Sequence, residues 1–359
     1  MARPTRVVGV PTYMPQLDSL RTVAVTAVLL CHLAPRLPAA FSLGIWGVRL
    51  FFVLSGFLIT GILLRARHNI RGEHGVLTAS RHFYLRRFVR IFPVYYLVLA
   101  LTTLADFADS RRTIFWHLAY LSNLLFVVHP AVNGPFDHLW SLSVEEQFYL
   151  IWPWIVLVAP PRVAMKVIVA LIVVAPLSRF GGFFLFGRLG AMYPLTSCLD
   201  SLGAGALLAY AWERDPAGDV MKRLKPLVIA ALLALPAVYA LPSTPIASAI
   251  HLALRDLVLA VLFCGVIGYA ARGFRGPLGA ILDWPPVRYL GRISYGIYLY
   301  HRLVQWTIAA IVARDRFNLL NPHPWVLFAL IVTTTIAVAS LSWQFFERPL
   351  NDLKARIGT

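Results

Sequence analysis

Charge is scarce in this sequence and uneven in sign. Of 359 residues only 14% are charged, and 33 Lys and Arg stand against 16 Asp and Glu, a formal net charge of 33 − 16 = +17. Cysteine is scarcer still. Cys31, Cys198 and Cys264 all fall in apolar stretches, with no disulfide or metal-ligand spacing, and read as small buried hydrophobes. There is no internal repeat, low-complexity tract or soluble linker, so the chain reads as one domain over residues 1–359. A nucleic-acid binder with this surplus would carry it on a soluble body, and a disordered tail would be poor in aromatics. Here 59% of residues are hydrophobic and 13% aromatic. That composition describes an all-α, polytopic membrane protein whose partner is the lipid bilayer, with no nucleic acid. At ~20 residues per spanning helix the length holds about ten crossings.

Apolar runs of spanning length occur at 17–34, 43–64, 88–105, 140–159, 163–179, 193–212, 225–241, 251–271, 287–313 and 324–346, with a shorter one at 115–129. Because Lys and Arg accumulate on cytoplasmic loops, the surplus orients these runs. Arg65, Arg67, Arg71, Arg81, Arg86 and Arg87 place 65–87 inside. Arg162 and Lys166, then 213–225, 272–288 and the C-terminal Lys354 and Arg356, do the same further along. The forward and backward counts agree when 115–129, interrupted by His117, Ser122 and Asn123, does not cross. It is therefore expected to be a re-entrant or interfacial helix on the outer side. Ten crossings result, with both termini cytoplasmic. Arg3 and Arg6 before an apolar run also resemble a signal peptide, but that run carries Arg21 and His32, which a disposable segment has no reason to contain.

Ionisable groups within spans are costly, so each is a candidate site. Arg21 and His32 are eleven residues apart, three helical turns plus about 20°, and project from one face roughly 16 Å apart. They are expected to line one cavity, with Asp18 pairing Arg21. The plainer reading is a structural ion pair and a histidine bonded to a neighbouring helix. Arg87 and Arg90, in RRFVRIFPVYY, share a helix face. They are either positive-inside anchors or a forked clamp for the phosphates of a soluble donor. In HLWSLSVEEQFYLIWP, Ser141 and Glu145 share a face while the adjacent Glu145 and Glu146 point about 100° apart, so at most one faces a given cavity. Carboxylates there would suit a hydroxyl acceptor, although Ser and Glu also cap helices. In GRISYGIYLYH, Ser294, Tyr295 and His301 fall inside a crossing, where tyrosines also serve as boundary belts. The remaining histidines have no ligand spacing, so no metal site is expected.

Taken in order, LDSLRTVAVTAVLLCH (17–32), GVRLFFVLSGFLITGIL (47–63), RRFVRIFPVYY (86–96), HLWSLSVEEQFYLIWP (138–153), GRISYGIYLYH (291–301) and FFERP (345–349) resemble the bacterial acyltransferase-3 family of integral-membrane acyl transferases. The family usually has Asp where this chain has Arg49, and Gly where it has Ser19 and Thr22. The resemblance implies transfer of an acyl group, most often acetyl, from acyl-coenzyme A to a hydroxyl of a carbohydrate or glycolipid acceptor, at a bacterial plasma membrane. On that reading Arg21, Arg87 and Arg90 bind the donor, and His32 with Glu145 or Glu146 is catalytic. His32 would serve as general base or as an acylated relay, with Asp18, Ser141, Ser294, Tyr295 and His301 supporting. Ending soon after FFERP, the chain reads as the stand-alone form, without the periplasmic hydrolase-like domain of many relatives. A transporter or flippase for a glycan or anionic solute would also place charge within spans, but inverted-repeat character and paired interrupted helices are missing. A sensor or scaffold without chemistry would tolerate replacement of His32 and Glu145.

Overall fold

The computed structural model of the chain describes residues 13–34, 43–70, 72–132, 134–215, 219–313 and 323–352. Both termini, and with them Arg3, Arg6, Lys354 and Arg356, lie outside the described residues, as does Arg71. Among the described residues there is no strand. The long helices are α1 (Pro15–Leu33), α2 (Leu43–His68) and α3 (Gly72–Leu104), then after the short α4 (Ile114–Leu118) and α5 (Ser122–Val128) come α6 (Trp140–Val158), α7 (Pro161–Met192), α8 (Leu199–Arg214), α9 (Asp219–Tyr239) and α10 (Pro245–Arg272). The chain continues through α11 (Gly276–Asp283), α12 (Pro285–Arg292), α13 (Ser294–Ala313) and α14 (Pro324–Ser342), and a π-helical turn, Trp343–Glu347, leads into α15 (Arg348–Asp352). Five stretches, Leu43–His68, Gly75–Leu104, Pro161–Met192, Pro245–Arg272 and Pro324–Asp352, are long and apolar enough to cross a membrane by length and composition. This is an all-α membrane protein.

Several boundaries differ from those expected. Residues 65–87 are not a loop: α2 carries Arg65 and Arg67 in its last turn, and α3 begins at Gly72. Arg67 spends its charge on helix capping, its Nη1 donating to the carbonyls of Val156 (2.9 Å) and Ala159 (2.8 Å), which the end of α6 leaves without partners. The run 287–313 is broken at Ile293 (φ −90, ψ 6), which separates α12 from α13. The run 163–179 extends to Met192 through a kink at Gly187, whose φ of 70° suits glycine. Cys198 and Cys264 are buried, but Cys31 is exposed, because it lies on the open side of α1. The shorter run at 115–129 is the α4–α5 pair, five and seven residues long, each far short of the ~20 a crossing needs.

The chain packs as two compact units. One is formed by the described residues within 1–17, 52–81 and 148–279, the other by those within 18–51, 82–147 and 280–359. In the first, α7, α8, α9 and α10 pack together around a buried ionic network. Arg179 Nη2 donates to Asp200 Oδ2 at 2.5 Å and to the Ala253 carbonyl at 2.7 Å, while its Nη1 donates to the Ser197 carbonyl at 2.7 Å. Arg255 Nε donates to Asp256 Oδ1 at 2.8 Å, and all four ionic side chains are wholly buried. Such charges are tolerated in an apolar interior only because they are matched.

The second unit centres on an aromatic core in which the Tyr95 and Tyr120 rings stack at 4.4 Å, with Val94, Leu99, Phe136, Leu139 and Leu299 around them. The α4–α5 segment is tied to this core through its backbone. Tyr95 and Tyr96 hydroxyls donate to the carbonyls of His117 and Leu118, each at 2.9 Å, and Gln147 Nε2 donates to the Tyr120 carbonyl at 2.8 Å. The polar residues that interrupt its hydropathy are thereby spent inside: His117 Nδ1 meets Ser122 Oγ at 2.8 Å, and Asn123 and Gln147 exchange amide bonds. In the first unit, Arg179→Met leaves Asp200 buried without its partner and should cost about 3–5 kcal/mol. Thermal unfolding of the detergent-solubilised protein measures this, and an unchanged midpoint would show that the network contributes nothing.

Candidate active site

Every candidate site residue lies within the second unit. α1 carries three of them and is seated by close backbone approach. A Cβ on Gly291 would fall 1.7 Å from the Asp18 carbonyl oxygen, and one on Gly47 2.4 Å from that of Ala24, so neither position admits a side chain. Ser19 and Thr22 anchor the same helix through their hydroxyls. Ser19 Oγ donates to the Leu282 carbonyl and Thr22 Oγ1 to that of Val287 at 2.6 Å. Near the start of α1, Asp18 receives Arg21 Nη1 at 3.3 Å and lies 4.0 Å from Arg292 Nε. At its other end stands His32.

His32 meets His301 of α13. The rings are parallel within 6°, their centroids 5.1 Å apart, and His32 Nδ1 lies 2.9 Å from His301 Nε2. Which nitrogen holds a proton follows from the next bond along. His301 Nδ1 is 2.7 Å from the Tyr298 carbonyl, which only accepts, so His301 carries its proton on Nδ1 and its Nε2 accepts. His32 must then donate from Nδ1, which leaves its Nε2 with a lone pair. His301 is wholly buried while His32 is only partly so. The pair thus presents one basic nitrogen and hides the group that orients it.

A third histidine completes the cluster. His138, just before α6, stands edge-on to His301 at 4.8 Å and donates from Nε2 to the Leu299 carbonyl at 3.2 Å. Its own carbonyl accepts the Tyr298 hydroxyl at 2.9 Å, and Ser141 Oγ lies 2.6 Å from that hydroxyl. Beside it, Asp137 is held by a two-pronged pair with Arg302, Nε to Oδ1 at 3.0 Å and Nη2 to Oδ2 at 2.5 Å. Arg302 also donates to Gln305, whose Nε2 donates to the His32 carbonyl at 3.4 Å. Burial pushes the Asp137 carboxyl up, but the neighbouring His138 ring and the Arg302 guanidinium outweigh it and hold the group well below the usual carboxylate range. The pair's contribution to stability is therefore present above the ordinary carboxylate value and is lost only in strong acid, as the pH falls through the depressed one.

The other candidates gather elsewhere in the unit. Glu146 lies among the phenols of Tyr95, Tyr120 and Tyr295, within electrostatic range of Arg87, and next to Glu145. Tyr295 donates to the Ile91 carbonyl at 3.0 Å, one residue beyond Arg90. Arg90 lies within range of Glu347, which accepts from Ser342 Oγ at 2.9 Å. Ser294 is buried at the start of α13. Three groups thus emerge: His32 with His301 and Ser141, Glu146 with Glu145, Arg87 and Tyr295, and Asp18 with Arg21. Of the Ser141 and Glu145 pair that shares a helix face, Ser141 meets the Tyr298 hydroxyl at 2.6 Å. Asp137, Tyr298, Arg302 and Gln305 were not singled out from sequence. A signal for two of them existed, since Asp137 and Arg302 are charges of opposite sign, each adjoining a histidine of a motif, and Arg302 falls inside the apolar run 287–313.

Among the described residues, no group of His, Cys, Asp and Glu side chains is placed to hold a metal ion. The fold is that of an all-α membrane protein whose second unit holds an oriented imidazole. The acyltransferase-domain family model matches residues 14–342, and the chain belongs to that acyltransferase-3 family. It is similar to the peptidoglycan O-acetyltransferase OatA of Listeria monocytogenes serovar 1/2a, 29% identical over 94% of this chain and 56% of that protein. The putative peptidoglycan O-acetyltransferase YrhL of Bacillus subtilis strain 168 is also 29% identical, over 94% and 55%. The O-acetyltransferase OatA of Staphylococcus aureus strain NCTC 8325 is 24% identical over 95% and 57%. The chain spans about half the length of these curated relatives. No solved structure matches it.

The tautomer chain is directly observable. With ¹⁵N-labelled histidine, magnetic resonance of the membrane-embedded protein should find His32 protonated on Nδ1 and bare on Nε2. A proton on Nε2 of His32 in the resting protein would reverse the assignment.

Proposed function

We propose that this chain is a membrane O-acyltransferase that moves an acyl group, acetyl in the first instance, from acyl-coenzyme A at the cytoplasmic face to a hydroxyl of a carbohydrate or glycolipid acceptor. The layout that goes with it is ten crossings in a bacterial plasma membrane, as one domain, with both termini cytoplasmic and α4–α5 on the outer side. The distribution of Lys and Arg supports that orientation. Family membership supports the reaction class, and the printed names of the relatives support a glycan acceptor.

The observation that carries the reading is the His32–His301–Tyr298 chain, because it leaves His32 Nε2 as a base. As the acceptor oxygen attacks the thioester carbonyl, His32 Nε2 takes the hydroxyl proton. The C–O bond forms, the C–S bond breaks, and the imidazolium returns its proton to the departing thiolate. His301 steadies the imidazolium by accepting its Nδ1–H throughout. Arg87 and Arg90 take the donor phosphates, exchanging the carboxylates now near them, Glu146 and Glu347, for a stronger anion. Arg21, positioned by Asp18, continues that cationic path. Glu145 or Glu146 orients the acceptor, with Ser141, Ser294 and Tyr295 in support.

His32→Ala should lower acyl transfer by roughly 10²–10⁴-fold while the protein still inserts. Purified protein, acyl-coenzyme A and detection of released thiol measure it, and wild-type transfer by the variant would end the proposal. A transporter would release no thiol at all. Arg87→Ala and Arg90→Ala should each weaken acyl-coenzyme A binding about tenfold or more, equivalent to about 1.4 kcal/mol. Wild-type donor affinity in both variants would make those arginines simple membrane anchors.

A further inference from the structure

A cleft of about 710 Å³ opens in the second unit, in the segment between α3 and α6, and the chemistry above leaves it unused. Its volume falls within the roughly 300–1,000 Å³ typical of small-molecule sites. Trp116, His129, Arg112, Thr113, His117 and Asp137 are among the residues lining it. The Trp116 and His129 rings meet edge to face, centroids 6.2 Å apart at 82°. The wall is set before any ligand arrives, since the Tyr95 and Tyr96 hydroxyls and the Gln147 amide grip the backbone of α4 and the turn after it.

The lining selects among ligands. A lipid tail would need an unbroken apolar wall, and this one is interrupted by Arg112, Thr113 and Asp137. A phosphate-bearing ligand would meet the Asp137 carboxylate, which stays ionised and is already matched to Arg302. A sugar ring suits both halves of the lining. Its C–H face packs on an indole, and its hydroxyls both donate and accept, so they pair with hydroxyl, guanidinium and carboxylate groups alike. A chain of hydrogen bonds also runs from the cleft to the backbone of His32. Asp137 lines it and pairs with Arg302, Arg302 donates to Gln305, and Gln305 donates to the His32 carbonyl.

We propose that this cleft is the acceptor subsite, binding pyranose rings of a glycan against the Trp116 indole with His129 beside it, and with Asp137 as the lining residue that is hydrogen-bonded through Arg302 and Gln305 to the His32 backbone. The proposal rests on the acyltransferase reading and gives its acceptor a place and a class. The glycan could reach it free or on a lipid carrier, and both forms share the sugar chemistry that Trp116 would recognise.

Binding is measured directly, without turnover, by calorimetry on the full chain in nanodiscs. The probes are soluble chitotetraose and maltotetraose, and in a separate arm an alkyl-tailed chitotetraoside carried in the bilayer. Trp116→Ala should weaken saccharide binding at least tenfold, and Trp116→Phe, which keeps a ring, by no more than about threefold. His129 is exposed, so His129→Ala is a variant that folds, and it should lose at least about threefold. Binding of only the tailed probe would mean that the acceptor arrives on lipid. Wild-type affinity in both Trp116→Ala and His129→Ala, or no binding of any probe by the wild type, overturns the proposal. Thiol release assayed on the same wild-type samples separates the two claims. Trp116-dependent binding without any acyl transfer would remove the enzymatic reading and leave the sugar site standing. Acyl transfer with no saccharide bound at the cleft would do the reverse.

Discussion

The hydrogen bond from His32 Nδ1 to His301 Nε2 controls what this site can do, because it decides which nitrogen of the partly exposed imidazole stays bare. Nothing at His32 itself sets that choice. It is made by the Tyr298 carbonyl, one turn back along α13, which takes the only proton that neutral His301 has to give. A backbone carbonyl cannot change its protonation, so the orientation is built into a helix. The rest of the second unit serves this bond. Gly47 and Gly291 let α1 come close enough to deliver His32, and Ser19 and Thr22 lock the helix to neighbouring carbonyls.

The same accounting of polar groups explains why the two units differ. In the first, buried charge is matched within a closed set, Arg179 with Asp200 and Arg255 with Asp256, and no member is exposed. That is the pattern of a structural network. In the second, some polar groups stand closer to open space. His32 is only partly buried, and Asp137 lies at the edge of a cleft. The groups beside them, His301 and His138, are sealed inside.

Much of this was legible beforehand, for physical reasons. Apolar runs must become helices in a bilayer, and the polar breaks at His117, Ser122 and Asn123 marked a segment that could not be a simple span. Spacing along one helix was also readable, as the Asp18–Arg21 pair illustrates. Contacts across helices were not. The motif ending at His301 is 269 residues from His32, and no periodicity links them. Asp137 escaped notice because it stands just outside the run 140–159, where charge needs no explanation; Arg302 escaped notice although it falls inside the run 287–313. Tyr298 is one of several tyrosines in a motif where tyrosines also serve as boundary belts, yet its carbonyl fixes the His301 ring and its hydroxyl donates to the His138 carbonyl. The break at Ile293 was hidden because apolar residues continue on both sides of it, and hydropathy does not register a change of helix axis.

If the His301 ring matters as the acceptor of the His32 proton, substitutions there should be graded by hydrogen bonding rather than by size. The most direct measurement is the single-turnover rate of acyl transfer by the reconstituted protein with His301 replaced by Gln or by Phe. A glutamine oxygen can still accept from His32 Nδ1 and a phenyl ring cannot. The account predicts that His301→Phe is slower than wild type by roughly 10²-fold or more, with His301→Gln between them and donor affinity unchanged in both. Equal rates for the two variants, or a His301→Phe rate matching wild type, would contradict it.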